Sequence, residues 1–184
     1  MRSAISQRTA VAVPADAGAT PSRAIVRRRV SAELDGEFVV FLIGMRINRL
    51  WKIWSWLPVV IAMGRMQAEL ARDPELGLLH SANFFSGPRN IMTVQYWRGF
   101  DQLEAYARGK TNRHLPAWQD FNRTKAAGAD VGIWHETFVV KGGAYETLYN
   151  NMPRYGLGLA GRIVDSVGRR NEARQRMQNA GVEA

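Results

Sequence analysis

The chain has 184 residues, 46% apolar and 22% charged, which suits about one globular domain with a real core. It contains no cysteine, so disulfide scaffolds, thiolate metal sites, iron–sulfur clusters and cysteine nucleophiles are excluded. Its three histidines, His80, His114 and His135, are too few to lead one to expect a multi-histidine zinc cage.

The net charge of +9 suggests a nucleic-acid binder only until it is divided along the chain. Residues 1–30 carry six Arg against Asp16, and residues 162–184 carry five Arg against Asp165, Glu172 and Glu183. What remains for 31–161 is nearly neutral, so the expected folded domain has no electrostatic footprint for DNA and no nucleic-acid partner is expected. The Arg27-Arg28-Arg29 run leaves room for a weak contact with anionic membrane through the N-terminal tail. No apolar segment follows Arg2 or Arg28-Arg29, so neither a secretory nor a twin-arginine signal is read. The longest apolar run, Phe38 to Met45, is far short of the ~20 residues that cross a bilayer. A cytoplasmic location is the expectation.

In chain order, 1–35 reads as a flexible basic tail, 36–155 as the folded domain, and 156–184 as a Gly-rich loop followed by an exposed helix. Phe38 to Ile47 is a β-branched and aromatic strand. Val39, Phe41, Ile43 and Met45 lie on one face, with Phe38, Val40 and Leu42 on the other. Ser55 and Pro58 suggest a helix start, and Trp56, Val60, Met63, Met66 and Leu70 form a helical stripe that stops near Asp73-Pro74. Leu76 to Phe85 and Ile91 to Trp97 read as strands joined by a Gly87-Pro88-Arg89-Asn90 turn. Asp101 and Glu104 form a capping-box-like start for a helix that Gly109 stops. A further helix is predicted from Pro116 past Phe121, then a strand from Asp130 to Val140 and a short extension over Tyr145–Asn150.

The order β-α-β-β-α-β gives a ferredoxin-like α+β fold. Two helices cover one face of a four-stranded sheet, yet the first strand is apolar on both. A second copy of the same sheet would cover the other face, so a homodimer, a dimeric α+β barrel, is expected.

Five separated stretches carry a family resemblance: Phe38 through Trp51, Val94-Gln-Tyr-Trp97, His114-Leu-Pro-Ala-Trp118, Gly132-Ile-Trp-His-Glu-Thr137 and Asn151-Met-Pro153. They resemble, in order, a family first catalogued as a domain of unknown function and later named after a monooxygenase of fungal fumagillin biosynthesis. The similarity covers about 36–160. It implies the dimeric α+β barrel superfamily, which includes antibiotic-biosynthesis monooxygenases working without metal or flavin, and also haem-binding members.

Candidate chemistry centres on His135 and Glu136, ionisable neighbours in an apolar strand, where they are costly unless paired or used. Alternation puts His135 with Val131 and Ile133, and Glu136 with Trp134 and Phe138. His135 serves either as a general base or iron ligand, or as a hydrogen-bonded core histidine. His114 and Trp118 share a helical face with Phe121; His114 is a second acid/base group, a haem ligand, or simply a cap. His80 reads as structural. Trp97, Tyr96, Trp134 and Trp118 are candidate walls for a small apolar substrate, although Tyr96 and Trp97 point to opposite faces. Arg46 is a candidate anion holder or a rim ion pair. Trp51, Trp54 and Trp56 close a pocket, edge a dimer, or anchor at a lipid interface. There is no G-x-S-x-G, P-loop, G-x-G-x-x-G or H-E-x-x-H.

The expectation is therefore a small monooxygenase of terpenoid or polyketide metabolism, acting on an apolar, electron-rich substrate without flavin, with no cofactor or metal. The alternatives are a haem-binding dehydratase or peroxidase-like enzyme, with His114 or His135 as axial ligand, or a non-catalytic lipid or terpenoid binder.

Overall fold

The computed structural model describes residues 24–109 and 128–180. The chain divides into two compact units, Val39–Val139 and Met1–Phe38 with Val140–Ala184. The strands are β1 (Val26–Glu33), β2 (Phe38–Ile47), β3 (Leu78–Ser86), β4 (Asn90–Trp97), β5 (Val131–Val140), β6 (Tyr149–Met152) and β7 (Arg162–Asp165). The helices are α1 (Ile53–Arg72), α2 (Phe100–Arg108), α3 (Leu157–Ala160) and α4 (Ala173–Asn179).

In the Val39–Val139 unit the order β2-α1-β3-β4-α2-β5 builds a four-stranded sheet, β3-β4-β2-β5. That is the ferredoxin-like α+β arrangement the sequence order implies. β2 runs antiparallel to β4, with Val39 opposite Trp97 and Leu42 opposite Val94, and β4 pairs with β3 through Asn83 opposite Thr93.

Alternation assigns the faces. Val39, Leu70, Trp97, Leu103 and Tyr106 form a buried cluster in which α1 and α2 pack on the sheet. Met45, Ile47 and Val131 form a second, with Trp56, Val59 and Val60 of α1 against it. The other sheet face carries Leu42, Met92, Val94, Tyr96 and Phe84, all only half-buried, with neither α1 nor α2 above them. Gly44 also lies there. A Cβ at Gly44 would sit 2.6 Å from the Trp134 indole, so the absence of a side chain is what lets Trp134 lie flat against β2.

Helix α1 starts two residues ahead of the expected Ser55 cap, with Lys52 at its N-cap. Pro58 therefore sits in the second turn, where its missing N–H removes one i→i−4 bond. Ser55 is buried and donates to Asp130 Oδ2 at 3.1 Å instead of capping the helix. Helix α2 is capped by Gly99 with no side-chain cap bond, so Asp101 and Glu104 make no capping box. Asp101 lies in the first turn, where its charge suits the helix dipole.

The other unit departs from the sequence reading. Val26–Glu33, assigned to a flexible tail, is the central strand of a sheet ordered β6-β1-β7. The basic end of β1 had hidden its buried end: Arg27, Arg28 and Arg29 are exposed, while Val30, Ser31, Ala32 and Glu33 are buried. The expected Tyr145–Asn150 extension is instead β6, which pairs with β1 through Tyr149 opposite Val30. Within the C-terminal stretch, Arg162–Asp165 forms β7 and only Ala173–Asn179 forms the closing helix. Glu33, buried, is held by Arg162 at 2.8 Å and Arg170 at 3.2 Å. Buried Arg176 binds Glu146 at 2.9 Å. The Tyr145 hydroxyl donates to the Leu34 carbonyl at 3.0 Å, and burial pushes that phenol up from its ordinary value. No described helix is long and apolar enough to cross a membrane.

Asp130, just ahead of β5, clamps the segment between β2 and α1. Its carboxylate accepts from Arg49 at 2.7 Å, Lys52 at 3.0 Å and Ser55 at 3.1 Å. Its carbonyl accepts from the Asn48 and Arg49 N–H groups. The Lys52 hydrogen bond, reinforced by those from Ser55 and Arg49, holds the carboxyl below its ordinary value of 3.8. A lowered acid favours the folded state above the unfolded value, and that support is lost as pH falls through the folded value. Asp130→Asn should therefore lower Tm at neutral pH and flatten its decline below pH ~4, which thermal melts across pH would check. Equal melting curves for both proteins would contradict the clamp.

Candidate active site

Between the sheet and its two helices the Val39–Val139 unit holds a cavity of about 570 Å³. Phe41 and Ile43 of β2 form its floor, with Ile133, His135 and Thr137 of β5 beside them. Helix α1 contributes Val59, Val60, Met63 and Met66, and α2 contributes Leu103, Glu104 and Ala107. The lining is overwhelmingly apolar, and its size falls in the range of small-molecule sites.

Besides Thr137, three polar features interrupt it. His135 lies on the floor with its ring 5.6 Å from that of Phe41, tilted by 41°. Glu104 lies on the α2 wall, its carboxylate 3.0 Å from Arg108 one turn on. Opposite is a trio from three elements. Gln67 Nε2 of α1 donates to Asn83 Oδ1 of β3 at 2.8 Å and to Thr93 Oγ1 of β4 at 3.0 Å.

Of the candidate site residues that lie among the described ones, only His135 lines this cavity. Strand alternation explains the rest. Trp134 and Glu136, neighbours of His135 in β5, point to the opposite face; all three residues are exposed. Trp97 is 1% exposed, packed in the core against Tyr106, with its indole N–H donated to Gln95 Oε1 at 3.0 Å. Tyr96, on the opposite face, stacks on His80 with ring centroids 6.4 Å apart. Burial holds the His80 imidazole below its usual 6.5, consistent with a structural neutral histidine. Arg46 is exposed and donates to Asn90 Oδ1 at 3.2 Å. His114, Pro116, Trp118 and Phe121 lie outside the described residues.

The Trp-rich segment divides in two. Trp56 turns inward, its N–H on the Leu50 carbonyl at 2.9 Å. Trp51 and Trp54 are each 67% exposed and do not line the cavity. Among the described residues no group of acidic or histidine side chains is placed to hold a metal ion.

Comparison with known proteins gives this cavity its family. The family model described as "Monooxygenase af470-like" matches residues 38–157, about two thirds of the chain. The chain belongs to the monooxygenase af470-like family. A curated member, "Monooxygenase af470" of Aspergillus fumigatus, is 27% identical over 146 residues, 69% of this chain and 52% of that protein. The chain thus spans about half the length of this curated relative. Among solved structures, the aldoxime dehydratase OxdRE in complex with butyraldoxime aligns with a TM-score of 0.61 at 17% identity, covering 74% of this chain and 40% of that one. This likeness supports the fold. SnoaB, a cofactor-independent oxygenase from Streptomyces nogalater, aligns with a TM-score of 0.42 at 14% identity, covering 57% of this chain and 94% of its own. The af470-like match includes both faces of the sheet, from Phe38 to Val140, and every residue that lines the cavity.

The sequence reading missed Gln67, Asn83, Thr93 and Glu104 as cavity residues. A weak signal was present in Gln67, a half-buried polar residue beside the Met63–Met66–Leu70 stripe. Asn83 carried none, since it is exposed in a strand that also holds His80, Ser81 and Ser86.

Proposed function

We propose that this family member is a monooxygenase of terpenoid or polyketide metabolism that oxidises an apolar, electron-rich substrate without flavin. The observation that carries this reading is the apolar cavity with an imidazole on its floor. A phenol or enolisable substrate bound there gives a proton from carbon or oxygen to His135. The resulting carbanion or phenolate transfers electrons directly to dioxygen. For a CH₂ group the balance is one substrate plus one O₂ giving the C=O product plus one water. All four electrons come from the substrate, and one oxygen atom stays in the product. The protein's contribution is positioning, exclusion of water and stabilisation of the anion.

Haem is the second reading. His135 would be its axial ligand, an imidazole suited to iron. His114, the other candidate ligand, lies outside the described residues. We also propose that two copies pair through the sheet face that α1 and α2 leave uncovered, as the apolar Leu42, Val94 and Met92 there suggest. A weak contact of the basic N-terminal segment with anionic membrane and a cytoplasmic location complete the proposal.

The test is oxygen consumption by the purified chain with a panel of phenols and enolisable ketones, in chelator-treated buffer, before and after addition of hemin. Consumption without hemin is expected. Activity appearing only with hemin, together with a Soret shift that His135→Ala removes, would replace this reading with the haem one. Ligand binding with no consumption in either condition would leave a non-catalytic carrier.

A further inference from the structure

The trio opposite His135 is a closed polar set with a defined remainder. Gln67 Nε2 uses both of its hydrogens, on Asn83 Oδ1 at 2.8 Å and Thr93 Oγ1 at 3.0 Å. Asn83 Nδ2 returns one hydrogen to Gln67 Oε1 at 3.0 Å, and the Thr93 hydroxyl donates to Asn83 Oδ1 at 2.7 Å. An amide offers two N–H donors and an oxygen with two lone pairs. Asn83 Oδ1 is thus saturated within the trio, while one N–H of Asn83, one lone pair of Gln67 Oε1 and one lone pair of the buried Thr93 hydroxyl are not used by it. Turning both amides over exchanges the partners' roles but leaves the same amide remainder, one N–H and one lone pair.

All three residues line the cavity; Thr93 is 2% exposed and anchors the set from within, Gln67 is half-buried, and Asn83 is exposed, so the unused groups lie at the cavity's solvent-facing end. The set is neutral, and no described cation lines the cavity while the Glu104 carboxylate does. Such surroundings disfavour an anion. A hydroxyl, which donates one hydrogen bond and accepts another, matches the N–H and lone pair that the two amides leave over. A carbonyl or ether oxygen fits half of it. A hydrocarbon fits none.

Position adds a second constraint. Asn83 is on β3 and His135 on β5, with β4 and β2 between them. Three strand spacings put their backbones about 14 Å apart. The intervening floor is Phe41 and Ile43.

We infer that Asn83 and Gln67, oriented by Thr93, form a subsite for a neutral oxygen function, an alcohol first and a carbonyl second, at the end of an elongated apolar substrate remote from the carbon that reacts beside His135. This rests on the proposed function and adds to it the substrate class. The molecule has an apolar body, a hydroxyl at one end and the oxidisable position at the other. The trio fixes which carbon reaches the imidazole.

The test is displacement of the neutral dye N-phenylnaphthylamine from the full chain by dodecanol, dodecyl methyl ether and dodecane. Wild-type protein should bind the alcohol about tenfold more tightly than the hydrocarbon, with the ether between them. Asn83→Leu should bring the alcohol to within about twofold of dodecane while leaving dodecane binding unchanged or tighter. Thr93→Val, which keeps the side-chain volume but frees the Asn83 amide, should reduce the preference and guards against misfolding of the first variant. An alcohol preference that survives both substitutions, or equal wild-type affinities, would overturn the subsite and leave the oxygenase reading standing. No displacement by any of the three would overturn both.

Discussion

Replacing Leu42 by Asp should convert the proposed dimer, of twice 20.7 kDa, into aggregated or unfolded protein rather than a clean monomer. Leu42 sits opposite Val94 in the centre of the sheet, on the face that α1 and α2 leave open. Its neighbours on that face include Met92, Tyr96, Phe84 and the exposed Trp134 and Phe138. Each such side chain left in water forfeits roughly 1.5–3 kcal/mol. Three or four of them together match the ~5–15 kcal/mol that holds a whole domain folded. A carboxylate at position 42 adds an unpaired charge to the proposed seam, where a second copy would otherwise cover it. Phe41, one residue away, lines the cavity instead, so Phe41→Asp should damage ligand binding first. Light scattering at micromolar concentration, with circular dichroism on the variant, decides this. A wild-type mass near 20.7 kDa would contradict the paired sheet.

His135→Ala should lower kcat by about 10²–10⁴-fold, the usual contribution of a positioned general base. Substrate affinity should change little, because the apolar lining of Phe41, Ile43 and Ile133 remains. The loss should therefore fall on kcat more than on KM, the signature of a group needed chiefly in the transition state. Added imidazole, small enough to enter the space the truncation opens, should restore part of the rate. Steady-state oxygen consumption by the two proteins is the measurement. Equal kcat values would remove His135 from the chemistry, whereas a rise in KM alone would make it a binding residue. Glu136→Gln, on the opposite face of β5, should leave kcat close to that of the wild type.

Much of the Val39–Val139 unit was legible in the sequence because its signals are local. The two-sided apolar β2, the stripe from Trp56 to Leu70 and the Gly87–Asn90 turn each follow from a period or a turn preference. The other unit was not legible for a physical reason. In β1, Arg27, Arg28 and Arg29 fall together at the exposed end, and the buried Val30, Ala32 and Leu34 follow only afterwards, so no alternation marks the strand. Its partners β6 and β7 are four residues each, too short to carry a period. The candidate site was half legible. Strand parity placed His135 with Ile133 and separated it from Glu136 and Trp134. Parity could not tell which face would hold the cavity, since that depends on where α1 and α2 pack. For the same reason Trp97 and Tyr96, attractive as aromatic walls, belong to the buried core and the opposite face. The trio of Gln67, Asn83 and Thr93 comes from three elements brought together only by the fold, and the spacing of 16 residues between Gln67 and Asn83 has no sequence signature.

The most direct measurement is oxygen consumption under oxygen-18 gas, with mass spectrometry of the product formed by the purified chain in chelator-treated buffer without haem or flavin. The account expects one labelled oxygen atom per product, the other atom in water, and loss of both on His135→Ala. Product that carries no label from the gas, or turnover only after hemin is added, would contradict it.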